Sequence, residues 1–193
     1  MCDAHFATSV ELGLHAIACF KYGELRTGRH NAIRDRLVVA LQNMKSGAHV
    51  DVEAALGPNS RKRSDVRWLF GADVLHLDVS VVSPSTPHAL AKDSHLHAKI
   101  AATLHEDQKR REYDANLRAA GLTLASLRPL VFETSARPGK EVENFKQWMD
   151  KKSRNGEVEH ARTFLQRAVQ EIWLFNARIL SAVVRNSVVG VRN

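Results

Sequence analysis

The stretch Asp65–Val82, DVRWLFGADVLHLDVSVV, decides the fold. In its second half, apolar Val74, Leu75, Leu77, Val79, Val81 and Val82 surround polar His76, Asp78 and Ser80. That is the two-residue period of a strand with unlike faces. Its first half, Asp65–Phe70, reads as a second strand, and Gly71 marks a tight turn, so the pair is expected to form a hairpin. Upstream, His49–Ala54 is a further strand candidate, separated from the hairpin by the basic run Arg61-Lys62-Arg63. Before it, Ile33, Leu37, Val38 and Leu41 recur at helical spacing, with Arg34, Asp35 and Arg36 on the other face. This predicts a helix from Arg29 that ends at Ser46-Gly47, preceded by a turn-like stretch Tyr22–Gly28.

Downstream, Ser83-Pro84-Ser85-Thr86-Pro87 breaks the sheet, and a polar helix is expected over Ala89–Ala119, stopped by Gly121. Pro129–Thr134 reads as a fourth strand, Glu141–Lys151 as a helix and Glu159–Ser187 as a last helix. That last helix sets Leu165, Val169, Ile172, Trp173, Ile179, Leu180 and Val183 on one side. Helix, three strands, helix, strand and two helices predict an α/β fold with a small central sheet flanked by helices.

The chain has 193 residues, 44% hydrophobic and 25% charged, which suits about one globular domain and excludes a disordered or fibrous class. No apolar run approaches the ~18 residues of a membrane span, so no membrane partner is expected. Net charge is +7 and the sequence pI is near 9.7, a balance suited to nucleic acid or another polyanion. Two cysteines and no signal-peptide pattern point to a reducing, intracellular compartment, the nucleus in a eukaryote.

Two constellations carry chemistry. Cys2, His5, His15 and Cys19 stand as C-x2-H-x9-H-x3-C, a closed set of four ligands suited to a structural Zn²⁺. The plain alternative is two buried cysteines and two incidental histidines. Asp65 and Asp78, with twelve residues between them, would meet across the hairpin. Such a pair suits Mg²⁺ or Mn²⁺, held by one or two carboxylates together with waters and phosphate oxygens. An acid inside an apolar run is costly unless exposed or paired, so Asp78 either faces solvent or has a partner. Glu53, two residues after Asp51, would project from the same strand face as Asp51. Lys109 and Tyr113, four apart, share a helix face. A lysine there would stabilise charge at phosphorus, or belong to a solvated basic face.

Taken together, several stretches resemble one family: TGRHNAIRD at Thr27–Asp35, VDVE at Val50–Glu53, SD at Ser64-Asp65, DVSV at Asp78–Val81, KRREY at Lys109–Tyr113 and PLVFET at Pro129–Thr134. Over roughly residues 2–150 their order is similar to the restriction-like endonuclease domain of the PD-(D/E)XK superfamily. That domain is found in R2-type non-LTR retrotransposon proteins and related reverse-transcriptase-associated proteins, where a cysteine/histidine knuckle commonly precedes it. The resemblance implies a restriction-endonuclease-like αβββαβ core over 27–152, a zinc-knuckle-like segment over 1–22 and an amphipathic helix over 157–188.

It further implies hydrolysis of a DNA phosphodiester, with Asp65 and Asp78 as metal-binding acids, Glu53 assisting, and Lys109 and Tyr113 as the helical lysine and tyrosine. Arg29, His30, Arg34, Arg61, Lys62, Arg63, Arg110 and Arg111 are then candidate phosphate contacts. The sequence departs from the family at Ser64, where a proline is usual, and at His5, which replaces a knuckle cysteine. Glu112 stands where some relatives carry a second lysine, and Ser135–Gly139 alters a glycine-rich continuation. No polymerase segment fits, so at most the nuclease half is expected. A degenerate nuclease fold that holds DNA or RNA without cutting it is the rival reading. In a third, the chain is an interaction protein that docks a partner through Glu159–Ser187.

Overall fold

The computed structural model describes residues 15–17, 22–44, 48–57, 60–94, 96–152 and 159–189. The elements are α1 (Gly23–Met44), β1 (His49–Ala55), β2 (Arg63–Phe70), β3 (Asp73–Val82), α2 (Pro87–Leu90), α3 (Ile100–Ala119), β4 (Leu127–Glu133), α4 (Lys140–Lys152) and α5 (Glu159–Val189). The chain is thus mixed α/β, with one four-stranded sheet in the order β1-β2-β3-β4.

The hairpin forms as the alternation requires. Gly71 takes φ +61, and the pairs run from Phe70↔Asp73 to Val66↔Leu77 in an antiparallel ladder. β1 adds antiparallel on the outer side of β2. β4 returns through α3 to lie parallel to β3, paired from His76↔Leu127 to Val82↔Glu133. A parallel return needs such a crossover, and a parallel strand covered on both faces reads as a nearly continuous apolar run. LRPLVFE meets that description: all but Arg128 are buried.

Leu77 and Val79 of β3, with Val66 and Trp68 of β2, point into the larger core. That core is closed by Ile33, Leu37 and Leu41 of α1, Phe145 and Met149 of α4, and Phe164 and Ile172 of α5. On the opposite face α3 covers the sheet through Tyr113 and Leu117, packed with Leu56 and Leu127.

Three sequence expectations need correction. Tyr22–Gly28 is not a turn: α1 begins at Gly23, six residues before Arg29. It extends because its first turns have α5 to pack on; Tyr22 and Leu25 lie against Ile179 and Val183. The helix expected over Ala89–Ala119 is two, α2 and α3, with turns between them. Lys99, at φ +71, precedes α3 in a left-handed conformation that a continuous helix excludes. In α5, Trp173 and Leu180 are exposed and do not share the buried side with Phe164, Ala168, Ile172 and Ile179. Arg29 is buried, 2% exposed, and lines the cavity beside the free edge of β3.

Candidate metal centre

Alternation sends Asp78 away from Leu77 and Val79, toward α3. The register that pairs Val66 with Leu77 sets Asp65 and Asp78 across from one another at its next position. There the β2–β3 ladder stops, while β3 continues with β4 alone to Val82. The freed edge of β3, from Asp78 onward, lines a cavity of about 670 Å³ between α1 and α3. Asp65 Oδ2 accepts the Val79 N–H at 2.6 Å, so the first carboxylate is tied to the strand that carries the second.

Three side chains reach these two acids. His30 of α1 places Nε2 3.2 Å from Asp65 Oδ1, and this hydrogen bond raises the imidazole's pKa against the opposing effect of burial. Lys109 of α3 holds Nζ 3.0 Å from Asp78 Oδ2. Tyr113, one turn further on, donates its O–H to Asp78 Oδ1 at 2.5 Å and stands 2.8 Å from the Arg63 carbonyl. Its single proton serves one acceptor at a time, and the charged one is nearer. Burial first, and the Asp78 charge second, raise the phenol's pKa, so Tyr113 remains a donor.

Asp78 is 4% exposed, and its Oδ2 makes no aligned hydrogen bond although the Lys109 ammonium is close. A buried carboxylate oxygen with a cation beside it and a free lone pair has the chemistry of an oxygen donor to a hard cation. Among the described residues no group of three or more His, Cys, Asp or Glu could hold a metal ion. Asp65 and Asp78 are then the two carboxylates that an ion here would have, with its other positions left to waters or phosphate oxygens.

Asp65, Asp78, Lys109, Tyr113 and His30 are thus brought together. Glu53 is not among them: it takes φ +51 in β1, lines no part of the cavity, and its carboxylate lies 3.3 Å from Arg34 and 3.9 Å from Arg63. The basic residues are dispersed. Lys62 reaches Glu112 at 3.4 Å and lies over the Tyr113 ring at 4.6 Å. Arg110 pairs with Glu141 at 2.7 Å. Arg61 and Arg111 are exposed, with no ion pair to another described residue. Arg29 lies in the α1–α5 seam, its Nη1 donating to Asn176 Oδ1 at 2.5 Å. Of the Cys2, His5, His15 and Cys19 set, all but His15 lie outside the described residues.

Sequence reasoning missed His105, which lines the same cavity from α3. The signal was present: His105 precedes Lys109 by four residues, so the two share a helix face. Among the described residues, no helix is long and apolar enough to cross a membrane. The chain matches no family model and no curated protein.

Proposed function

We propose that the protein is a divalent-metal-dependent DNA endonuclease with a restriction-endonuclease-like core of the PD-(D/E)XK kind. The observation that carries this reading is the juxtaposition of Asp65 and Asp78 at the point where β2 and β3 part, with Lys109 Nζ 3.0 Å from a buried Asp78 oxygen that has no hydrogen bond. The element order and the parallel β4 agree with the αβββαβ arrangement the sequence resemblance implies.

Asp65 and Asp78 would hold Mg²⁺ or Mn²⁺. When bound, the ion supplies Lewis-acid polarisation of the phosphate and a lowered pKa for water. Tyr113 orients Asp78, and the Val79 N–H orients Asp65. The Lys109 ammonium offsets charge that develops on the phosphate oxygens during substitution at phosphorus. The open cleft beside β3 admits a phosphodiester backbone, and exposed Arg61 and Arg111 supply contacts that position it without reading sequence.

The test is nicking of supercoiled plasmid with Mg²⁺ or Mn²⁺ by the intact chain and by Asp78→Ala. The wild type is expected to convert supercoiled to open-circle DNA, while Asp78→Ala falls to background and still binds duplex. A wild type no faster than Asp78→Ala overturns the enzymatic reading; retained DNA binding in both would then favour the degenerate, binding-only fold.

A further inference from the structure

The hydrolysis proposed above needs a group that takes a proton from the attacking water. Lys109 does not offer one. Its Nζ is engaged by the Asp78 carboxylate at 3.0 Å. The carboxylates are committed as well: Asp65 accepts the Val79 N–H and lies against His30, and Asp78 accepts from Tyr113 and lies against Lys109. His30 already directs Nε2 at Asp65.

Two histidines line the cavity; His30 is held at Asp65, whereas His105 pairs with neither carboxylate. His105 lies on α3 one turn before Lys109, half-buried, in the wall that faces the free edge of β3. From this placement, and resting on the endonuclease reading, we infer that His105 is the general base: a ring nitrogen accepts a proton from the water that attacks phosphorus.

In the step, the water oxygen forms a bond to phosphorus and gives one proton to the imidazole. The bond from phosphorus to the leaving oxygen breaks, and that oxygen takes a proton from solvent. The imidazolium later returns its proton to bulk water, so no oxidant or further reactant is needed. The electrostatic setting suits the role. Burial first and Lys109 second lower the ring's pKa, while Asp78, Glu112 and the Gln108 side chain act in the opposite sense. Across the cavity stand Arg26, Arg29 and His30 of α1 and Asp65 of β2. The balance keeps the ring neutral near pH 7, the form a base requires.

The experiment compares wild type, His105→Ala, His105→Gln and Asp78→Ala in the plasmid assay with Mg²⁺, together with duplex binding. Loss of a positioned base costs typically 10²–10⁴-fold, so both His105 variants are expected to nick at least ~100-fold more slowly while binding DNA as the wild type does. Added imidazole is expected to restore part of the rate of His105→Ala and none of that of Asp78→Ala, a rescue that a packing role would not give. In the metal-free protein, ¹⁵N spectra of the ring are expected to show neutral imidazole at pH 7. A His105→Ala rate equal to wild type, or a cationic ring at pH 7, overturns the inference and leaves the endonuclease reading standing. A wild type no faster than Asp78→Ala overturns both.

Discussion

Asp78 was the most legible residue of the site, because an acid between Leu77 and Val79 in an apolar strand demands a partner. Its partners could be named only through the family resemblance and not from strand pattern, since Tyr113 and Lys109 lie on a helix more than thirty residues away and meet Asp78 only through the crossover. The position of Asp65 was readable for the opposite reason: a two-residue period and one turn fix which residues of a hairpin face each other. Glu53 shows where that logic stops, because a positive φ breaks the alternation on which its placement depended. Tyr113 also makes a prediction at this scale. Its O–H holds Asp78 Oδ1, and orienting partners of metal ligands typically matter by 10–100-fold in affinity. Tyr113→Phe is therefore expected to weaken Mn²⁺ binding about tenfold to a hundredfold in calorimetric titration of the metal-free protein. Unchanged Mn²⁺ affinity would show that Asp78 is oriented by its strand alone.

At the scale of elements, β2, β3, β4 and α4 were legible to within two residues because alternation or helical spacing, and the turns that bound them, are local signals. The extent of α1 was not, since its first turns are stabilised by contact with α5 across the molecule. That seam contains a buried polar link: Arg29 Nη1 donates to Asn176 Oδ1, and Asn176 Nδ2 donates to the Thr134 carbonyl at 2.7 Å. Burial first and Arg26 second lower the Arg29 pKa to about 10, and its Nε has no hydrogen-bond partner. A buried cation held by one neutral amide has little to replace it. Asn176→Ala leaves the guanidinium and the carbonyl unsatisfied, at a cost of about 3 kcal/mol. For a chain of this length that is a fall in Tm of roughly 6–12 °C. The double variant Arg29→Met, Asn176→Leu is expected to recover much of the loss, because apolar replacement removes both unpaired groups. Additive losses in that pair, followed by thermal unfolding, would show that the link does not act as a unit.

At the scale of the whole molecule, the +7 charge is a surface property, whereas two groups buried on α3 and β3 contribute opposing pH dependences to stability. His76 is 1% exposed, its Nδ1 lies 2.9 Å from Ser64 Oγ, and burial first, then Arg67, lower its pKa from 6.5 to about 4. The unfolded chain therefore takes up this proton first as pH falls, and stability present above pH 6.5 is lost toward pH 4. Glu106 is 2% exposed, accepts the Glu141 N–H at 3.0 Å, and is raised from 4.5 to about 6, chiefly by burial. Its contribution has the opposite sign, present below pH 4.5 and lost as pH rises through 6. At 1.36 kcal/mol per pH unit the histidine effect is about 3 kcal/mol and the glutamate effect about 2 kcal/mol; in their shared window from 4.5 to 6 the two slopes cancel, and the histidine's wider window leaves a net loss of about 1 kcal/mol. Denaturant unfolding is expected to show net loss of stability on acidification from pH 6.5 to 4. Glu106→Gln keeps an acceptor for the Glu141 N–H and removes the charge. It is expected to gain about 2 kcal/mol at pH 8 and nothing at pH 4.5, while His76→Asn flattens the acid slope whatever its effect at neutral pH. An equal gain from Glu106→Gln at both pH values would mean that the buried charge is not the cause.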